Sequence, residues 1–235
     1  PDQTTALTTI NASQHAAHEF VKKADWLIIT LGSSFVYKLA EENRFVANCH
    51  KVPGQRFEKH LMPIDEQIAL LDNCIHQLFH ANPKLKIIFT ISPVRHLRDG
   101  VVENNRSKAR LLETVHHLVN KFDRLFYFPA YELVIDVLRD YRFYDIDLAH
   151  PNYAATQFVM EKFSDYAFRE PTNQLIKEIR QIVTARNHKP FHPGSKQHQQ
   201  FLQQHLELAE RLQSEHSYLH LSEEDSNFRQ QLLSY

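Results

Sequence analysis

Two rhythms of apolar positions alternate along the first 170 residues. Asp25 to Leu31 is a short, nearly unbroken apolar run, which predicts a parallel strand buried on both faces. Lys86 to Ser92 and Leu125 to Phe128 repeat that pattern. Between them, Ile68, Leu71, Ile75 and Leu78 recur at helical spacing within Ile64 to His80, which ends before Asn82-Pro83. Leu111, Leu112, Val115 and Val119 do the same within Lys108 to Phe122. Asn11 suits the cap of an earlier helix reaching Lys23, with Ala16, Phe20 and Val21 as its apolar positions. Tyr131 to Leu138 and Asn152 to Phe168 predict two more helices, and the stretch up to Met62 is loop-rich. Strands alternating with helices predict an α/β fold, a three-layer α/β/α sandwich on a parallel sheet.

From Pro171 the character changes. Leu175, Ile176, Ile179, Ile182 and Val183 predict a helix ending near Asn187, and the Pro- and Gly-containing stretch His188 to Gly194 breaks it. Ser195 then opens a Gln-rich helix carrying Phe201, Leu202, Leu206, Leu208 and Leu212. The organisation expected is an α/β domain over 1–170 and a helical extension over 171–235, whose apolar positions pack on the domain or on a second protomer.

Composition removes several classes of function. The 27 basic and 28 acidic residues leave a net charge of -1, so no global field draws in nucleic acid. No apolar run approaches the length of a membrane span. Two cysteines, Cys49 and Cys74, make no disulfide framework, which suits a reducing, cytoplasmic setting. Sixteen histidines raise the question of metal, but they are scattered, with no His-Glu-x-x-His or paired Cys-x-x-Cys pattern. No metal and no cofactor is expected.

The candidate chemistry gathers where strands end. In Asp145-Ile146-Asp147-Leu148-Ala149-His150-Pro151-Asn152, a carboxylate precedes a histidine by three residues, and the proline suits the first turn of the helix that follows. A buried Asp147 so placed can orient the His150 ring and leave its other nitrogen free to accept a proton. The aromatic residues Tyr141, Phe143 and Tyr144 are expected to bury that carboxylate. Gly32, the Ser92–His96 segment and Pro129–Tyr131 lie at the carboxyl ends of predicted parallel strands, where such sheets place their sites. Gly32-Ser33-Ser34-Phe35 has the look of a nucleophile turn, a strand followed by Gly-Ser and a helix-like segment. Arg95 can pair with a substrate carboxylate or phosphate, or simply with Asp140 or Glu103. His96 reaches the same mouth. Glu103 to Lys108 reads as a capping segment ahead of a helix.

Three stretches carry a family resemblance. They are Trp26 to Gly32 leading to Asn48-Cys49-His50-Lys51-Val52-Pro53; Ser92-Pro93-Val94-Arg95-His96 with Glu103 to Lys108; and Tyr127 to Glu132 running to Leu138–Tyr144 and the Asp147/His150 pair. Over residues 1 to 170 the chain resembles the bacterial GSCFA-domain proteins, a branch of the SGNH (GDSL-like) hydrolase superfamily. That resemblance implies a serine ester hydrolase, a carbohydrate O-acyl esterase or acyltransferase acting on a small-molecule or carbohydrate acyl ester. His150 would be its base and Asp147 the residue orienting it, with Gly32 and Asn48 at the oxyanion and His50 beside substrate. It also places the Ser33 turn at the oxyanion strand and not at the nucleophile. The family's Gly-Ser-Cys-Phe-Ala segment, which supplies the serine, occurs nowhere here. The expectation is a chain lacking the first strand, its sheet completed by an N-terminal fragment or by another protomer. The competing expectation is a binding or scaffolding module that keeps the fold without the chemistry.

Overall fold

The computed structural model describes residues 2–42 and 44–234. It is an α/β fold built on a parallel sheet, with a helical C-terminal part. The elements run α1 (Gln3–Lys23), β1 (Trp26–Leu31), β2 (Phe35–Leu39), β3 (Arg44–Val46), β4 (Phe57–Leu61), α2 (Ile64–Ala81), β5 (Lys86–Ile91), α3 (Gly100–Lys121) and β6 (Leu125–Phe128). Then come α4 (Ala130–Glu132), which continues into a π-helical turn over Leu133–Leu138, and α5 (Tyr153–Ala167), α6 (Glu170–Arg186), α7 (Lys196–Glu215) and α8 (Ser222–Leu233). The chain divides into two compact units, Pro1–Met160 and Glu161–Tyr235, with the division inside α5.

In the first unit the parallel sheet has the order β1-β5-β6. Ile87, Phe89 and Ile91 alternate to one face of β5 and are fully buried against Ile75 of α2 and Leu111, Val115 and Leu118 of α3. Burying each of these side chains stabilises the unit by about 1.5–3 kcal/mol before entropy is counted. The opposite face is covered unevenly. Ile88 and Thr90 are buried there, whereas Trp26 and Ile28 on β1 remain 46% and 52% exposed. The expectation that β1 is buried on both faces therefore fails. It is an edge strand, paired on one side only among the described residues, and on this face Trp26 meets Phe126 and Lys86 while staying partly open to solvent.

Several boundaries also move. The first helix starts at Gln3, where Asp2 accepts the Thr5 N–H at 2.9 Å, and Asn11 lies in its interior. A Thr-rich opening has low helix propensity, but Thr8 and Thr9 return their hydroxyls to the carbonyls four residues back. The stretch read as loop contains an antiparallel sheet of order β3-β2-β4, with Phe35 opposite Leu61 and Tyr37 opposite Lys59. The last helix, α8, has an apolar stripe too weak for periodicity to reveal; Phe228 is its fully buried anchor. In the second unit α6, α7 and α8 enclose Ile182, Leu202, Leu206, Ala209 and Leu212. Among the described residues no helix is long and apolar enough to cross a membrane.

Candidate active site

The Asp147–His150 turn is held by its own backbone. Asp145 N–H donates to His150 O at 2.8 Å and Leu148 N–H to Asp145 O at 2.9 Å, while Tyr144 and Pro151 form an isolated bridge. Closing so tight a turn drives Leu148 to φ 55°, a left-handed conformation unusual for a leucine. Pro151 thus belongs to this bridge, not to the first helical turn. Asn152 caps α5 by accepting the Ala155 N–H at 3.2 Å.

Within the turn, Asp147 Oδ2 lies 2.6 Å from His150 Nδ1. Its other oxygen accepts the N–H of Ala149 at 2.9 Å and of His150 at 3.0 Å. These backbone donors, His150 first and then Ala149, with the His150 ring, hold the Asp147 carboxyl down at about 2. A carboxylate can only accept, so Nδ1 carries the proton and Nε2 faces outward as a base. The expected burial does not occur. The Asp147 side chain is 47% exposed and that of His150 60%, because the aromatics are used elsewhere. Tyr144 is buried and lies under the Arg95 guanidinium at 4.4 Å, and Tyr141 lies 5.3 Å from the same group.

Arg95 connects the turn to the sheet. Its backbone N–H donates to Ala149 O at 3.1 Å. Neither alternative ion pair forms, since Asp140 faces Arg142 and Glu103 faces Arg106. One residue on, His96 N–H is fixed by Asn104 Oδ1 at 3.0 Å. A methyl group built on Gly32 would lie 3.7 Å from His96 Nε2, so the imidazole sits against that glycine. Burial, then the nearby Lys108 charge, lowers the His96 pKa, and a hydrogen bond to the Gly32 backbone opposes them.

The residues missed in the sequence lie on α3. Because that helix begins at Gly100, Glu103 to Lys108 is helix and not a cap, and Asn104, Ser107, Lys108 and Leu111 fall on one buried face. Lys108 Nζ donates to Gly32 O at 2.7 Å and Ser92 O at 2.6 Å, tying together the carboxyl ends of β1 and β5. Burial brings its pKa down to about 8. Ser107 Oγ accepts the Ser34 N–H at 2.7 Å and lies 3.2 Å from Ser33 Oγ. A buried polar run at i, i+3 and i+4 on an otherwise amphipathic helix was the available signal.

Two features set Ser33 apart from a nucleophile turn. A strand, β2, follows it where a helix was expected, and its Oγ accepts the Phe35 N–H at 3.0 Å besides meeting Ser107. Asn48 and His50 belong to the loop after β3, where Asn48 Oδ1 accepts the His50 N–H at 2.8 Å and His50 takes φ 46°. Both are exposed, and among the described residues no hydrogen bond links them to the Asp147–His150 turn. Gly32, Arg95, His96, Asp147 and His150 are therefore brought into one connected framework, and Asn48 and His50 are not part of it.

A profile of the GSCFA family matches residues 1–163. The chain belongs to the GSCFA family. A second profile, the C-terminal domain of GSCFA domain proteins, matches residues 179–234 of this GSCFA chain. No curated protein and no solved structure matches it.

Proposed function

We propose that this chain supplies the acid–base half of an SGNH-type serine ester hydrolase, acting on a small-molecule or carbohydrate acyl ester. The observation that carries the reading is the 2.6 Å contact between Asp147 Oδ2 and His150 Nδ1 on a turn fixed at the carboxyl end of the sheet. His150 Nε2 would take the proton of a serine as it attacks the acyl carbon, then return it to the departing alkoxide. Asp147, ionised throughout, would stabilise the transient imidazolium. Gly32 would offer backbone to the oxyanion, and Arg95 and His96 would line the substrate's path. Water or a sugar hydroxyl could then receive the acyl group.

The serine in this proposal is carried by a segment that pairs with the open edge of β1. The phase of the ladder supports it. Lys86 N–H donates to Asp25 O at 3.0 Å and Ser92 N–H to Leu31 O at 2.9 Å, so odd-numbered residues of β1 face β5. The N–H and C=O groups of Trp26, Ile28 and Thr30 are left pointing outward. Such an edge invites an added strand, from an N-terminal fragment or from another protomer.

A binding or scaffolding module is the second reading. It is favoured by one observation: among the described residues no hydroxyl is hydrogen-bonded to the His150 ring. Fluorophosphonate labelling of the full-length protein, followed by peptide mass mapping, separates the two. A label on a serine outside Ser33, lost with turnover in a folded His150→Ala variant, is expected. A label on Ser33 would reassign the nucleophile, and no label at all would favour the module.

A further inference from the structure

The second unit carries a groove that the ester chemistry does not use. It lies between α6 and α7, an open depression of about 430 Å³. Lys177, Arg180 and His188 contribute from α6 and the segment after it, and Phe201 and His205 from α7. No carboxylate lines it among the described residues.

Two of its lining residues are cations, and the carboxylates nearby are engaged elsewhere. Arg186, Arg211 and Arg229 each hold two carboxylates: Glu223 and Glu224, Glu178 and Glu215, and Glu210 and Asp225. Glu178, the sequence neighbour of Lys177, is thereby drawn to Arg211. Lys177 and Arg180 make no ion pair among the described residues, and both are exposed at the groove. Two cations one helical turn apart, without an ion pair among the described residues, suit a group of charge near -2.

The rest of the lining combines Gln181, Thr184 and Ala185 with three aromatic rings tilted against one another. Phe201 lies 4.3 Å from the His205 ring and 5.4 Å from the His188 ring, centre to centre. His205 Nδ1 is 2.8 Å from Phe201 O; a carbonyl only accepts, so that nitrogen bears the proton and Nε2 is the free nitrogen of the ring. A phosphate monoester carries about -1.5 to -2 charges near neutral pH and three strong acceptors. We infer that this groove binds a phosphate monoester on a flat aromatic body, the chemistry of a nucleoside monophosphate. The phosphate meets Lys177 and Arg180, and the aromatic body packs against the exposed parts of the Phe201, His188 and His205 rings.

Calorimetric titration of the full chain with adenosine 5′-monophosphate, inorganic phosphate and adenosine tests this. The monophosphate is expected to saturate with a dissociation constant below about 1 mM, tighter than either half alone. Lys177→Ala/Arg180→Ala is expected to weaken it by about tenfold or more, and Lys177→Arg, which keeps the charge and leaves Arg180 in place, to retain it. Both side chains are exposed and unpaired, so the variants should melt as the parent does. No saturable binding, monophosphate no tighter than inorganic phosphate, or undiminished affinity in the double alanine variant would each overturn the inference.

Discussion

Arg95 gives its backbone N–H to Ala149, two residues from Asp147 and next to His150, and lays its guanidinium over Tyr144. The loop after β5 thus grips the Asp147–His150 turn twice, once through backbone and once through side chain. Arg95→Ala separates the two. It keeps the backbone bond and loses the ring contacts, which are worth about 0.5–2 kcal/mol. Urea denaturation should show a loss in that range, and an unchanged midpoint would mean that the stacking carries no energy.

Asp147→Asn should leave the turn nearly intact, since an amide oxygen can still accept the backbone N–H groups of Ala149 and His150. It removes the charge that favours the Nδ1-protonated ring and the imidazolium. On the triad template, turnover of the full-length protein should fall by about 10³-fold or more with little change in KM. Steady-state kinetics on a chromogenic acyl ester would read this, and a variant of near-parental rate would exclude Asp147 as the orienting residue.

The same carboxylate gives an acid signature. Its pKa in the folded chain, about 2, lies below the ordinary 3.8, so its stabilising contribution is present above that ordinary value and is lost as pH falls through about 2. His150 and Ala149 amide chemical shifts should titrate in that low window in the parent and not in Asp147→Asn. Titration of these amides near pH 4 would contradict the assignment.

Lys108 behaves in the opposite direction. A folded pKa of about 8, below the ordinary 10.5, means that the unfolded chain holds more protons between those values, so stability rises with pH across that window. The neutral amine keeps two N–H groups, enough for the Gly32 and Ser92 carbonyls. Lys108→Met should abolish the rise and cost about 1–3 kcal/mol at neutral pH by leaving buried carbonyls unpaired. Denaturation curves at pH 7.5 and at pH 10 (about 8 and 10.5 bound the window) would show whether the slope is lost.

Ile28 has its backbone N–H on the open side of β1. Ile28→Pro should therefore spare the β1–β5 ladder while preventing an added strand from bonding there. Sedimentation of the parent chain alone should show self-association that this variant reduces. A monomeric parent with a sharp cooperative melt would argue against a sheet awaiting another strand.

Much of the fold was legible because apolar spacing reports burial directly. The runs at Asp25–Leu31, Lys86–Ser92 and Leu125–Phe128 are strands, and the helices after Pro63 and Ser195 lie where their periodicity put them. The antiparallel hairpin strands were hidden because Phe35–Leu39 and Phe57–Leu61 are half-exposed and mix charge with aromatics. The start of α3 was hidden because its first turns bury Asn104, Ser107 and Lys108, polar residues that a hydrophobic pattern reads as surface.

By itself the sequence determined the α/β class, the family, and the local Asp147–His150 pairing, all of which depend on residues close in the chain or on motifs read in order. Tertiary structure alone decided that Lys108 joins Gly32 to Ser92, that Arg95 stacks on Tyr144 and bonds Ala149, and that β1 pairs on one side only among the described residues. Those contacts link residues as much as 76 positions apart, and only the closure of the sheet brings them within hydrogen-bonding distance.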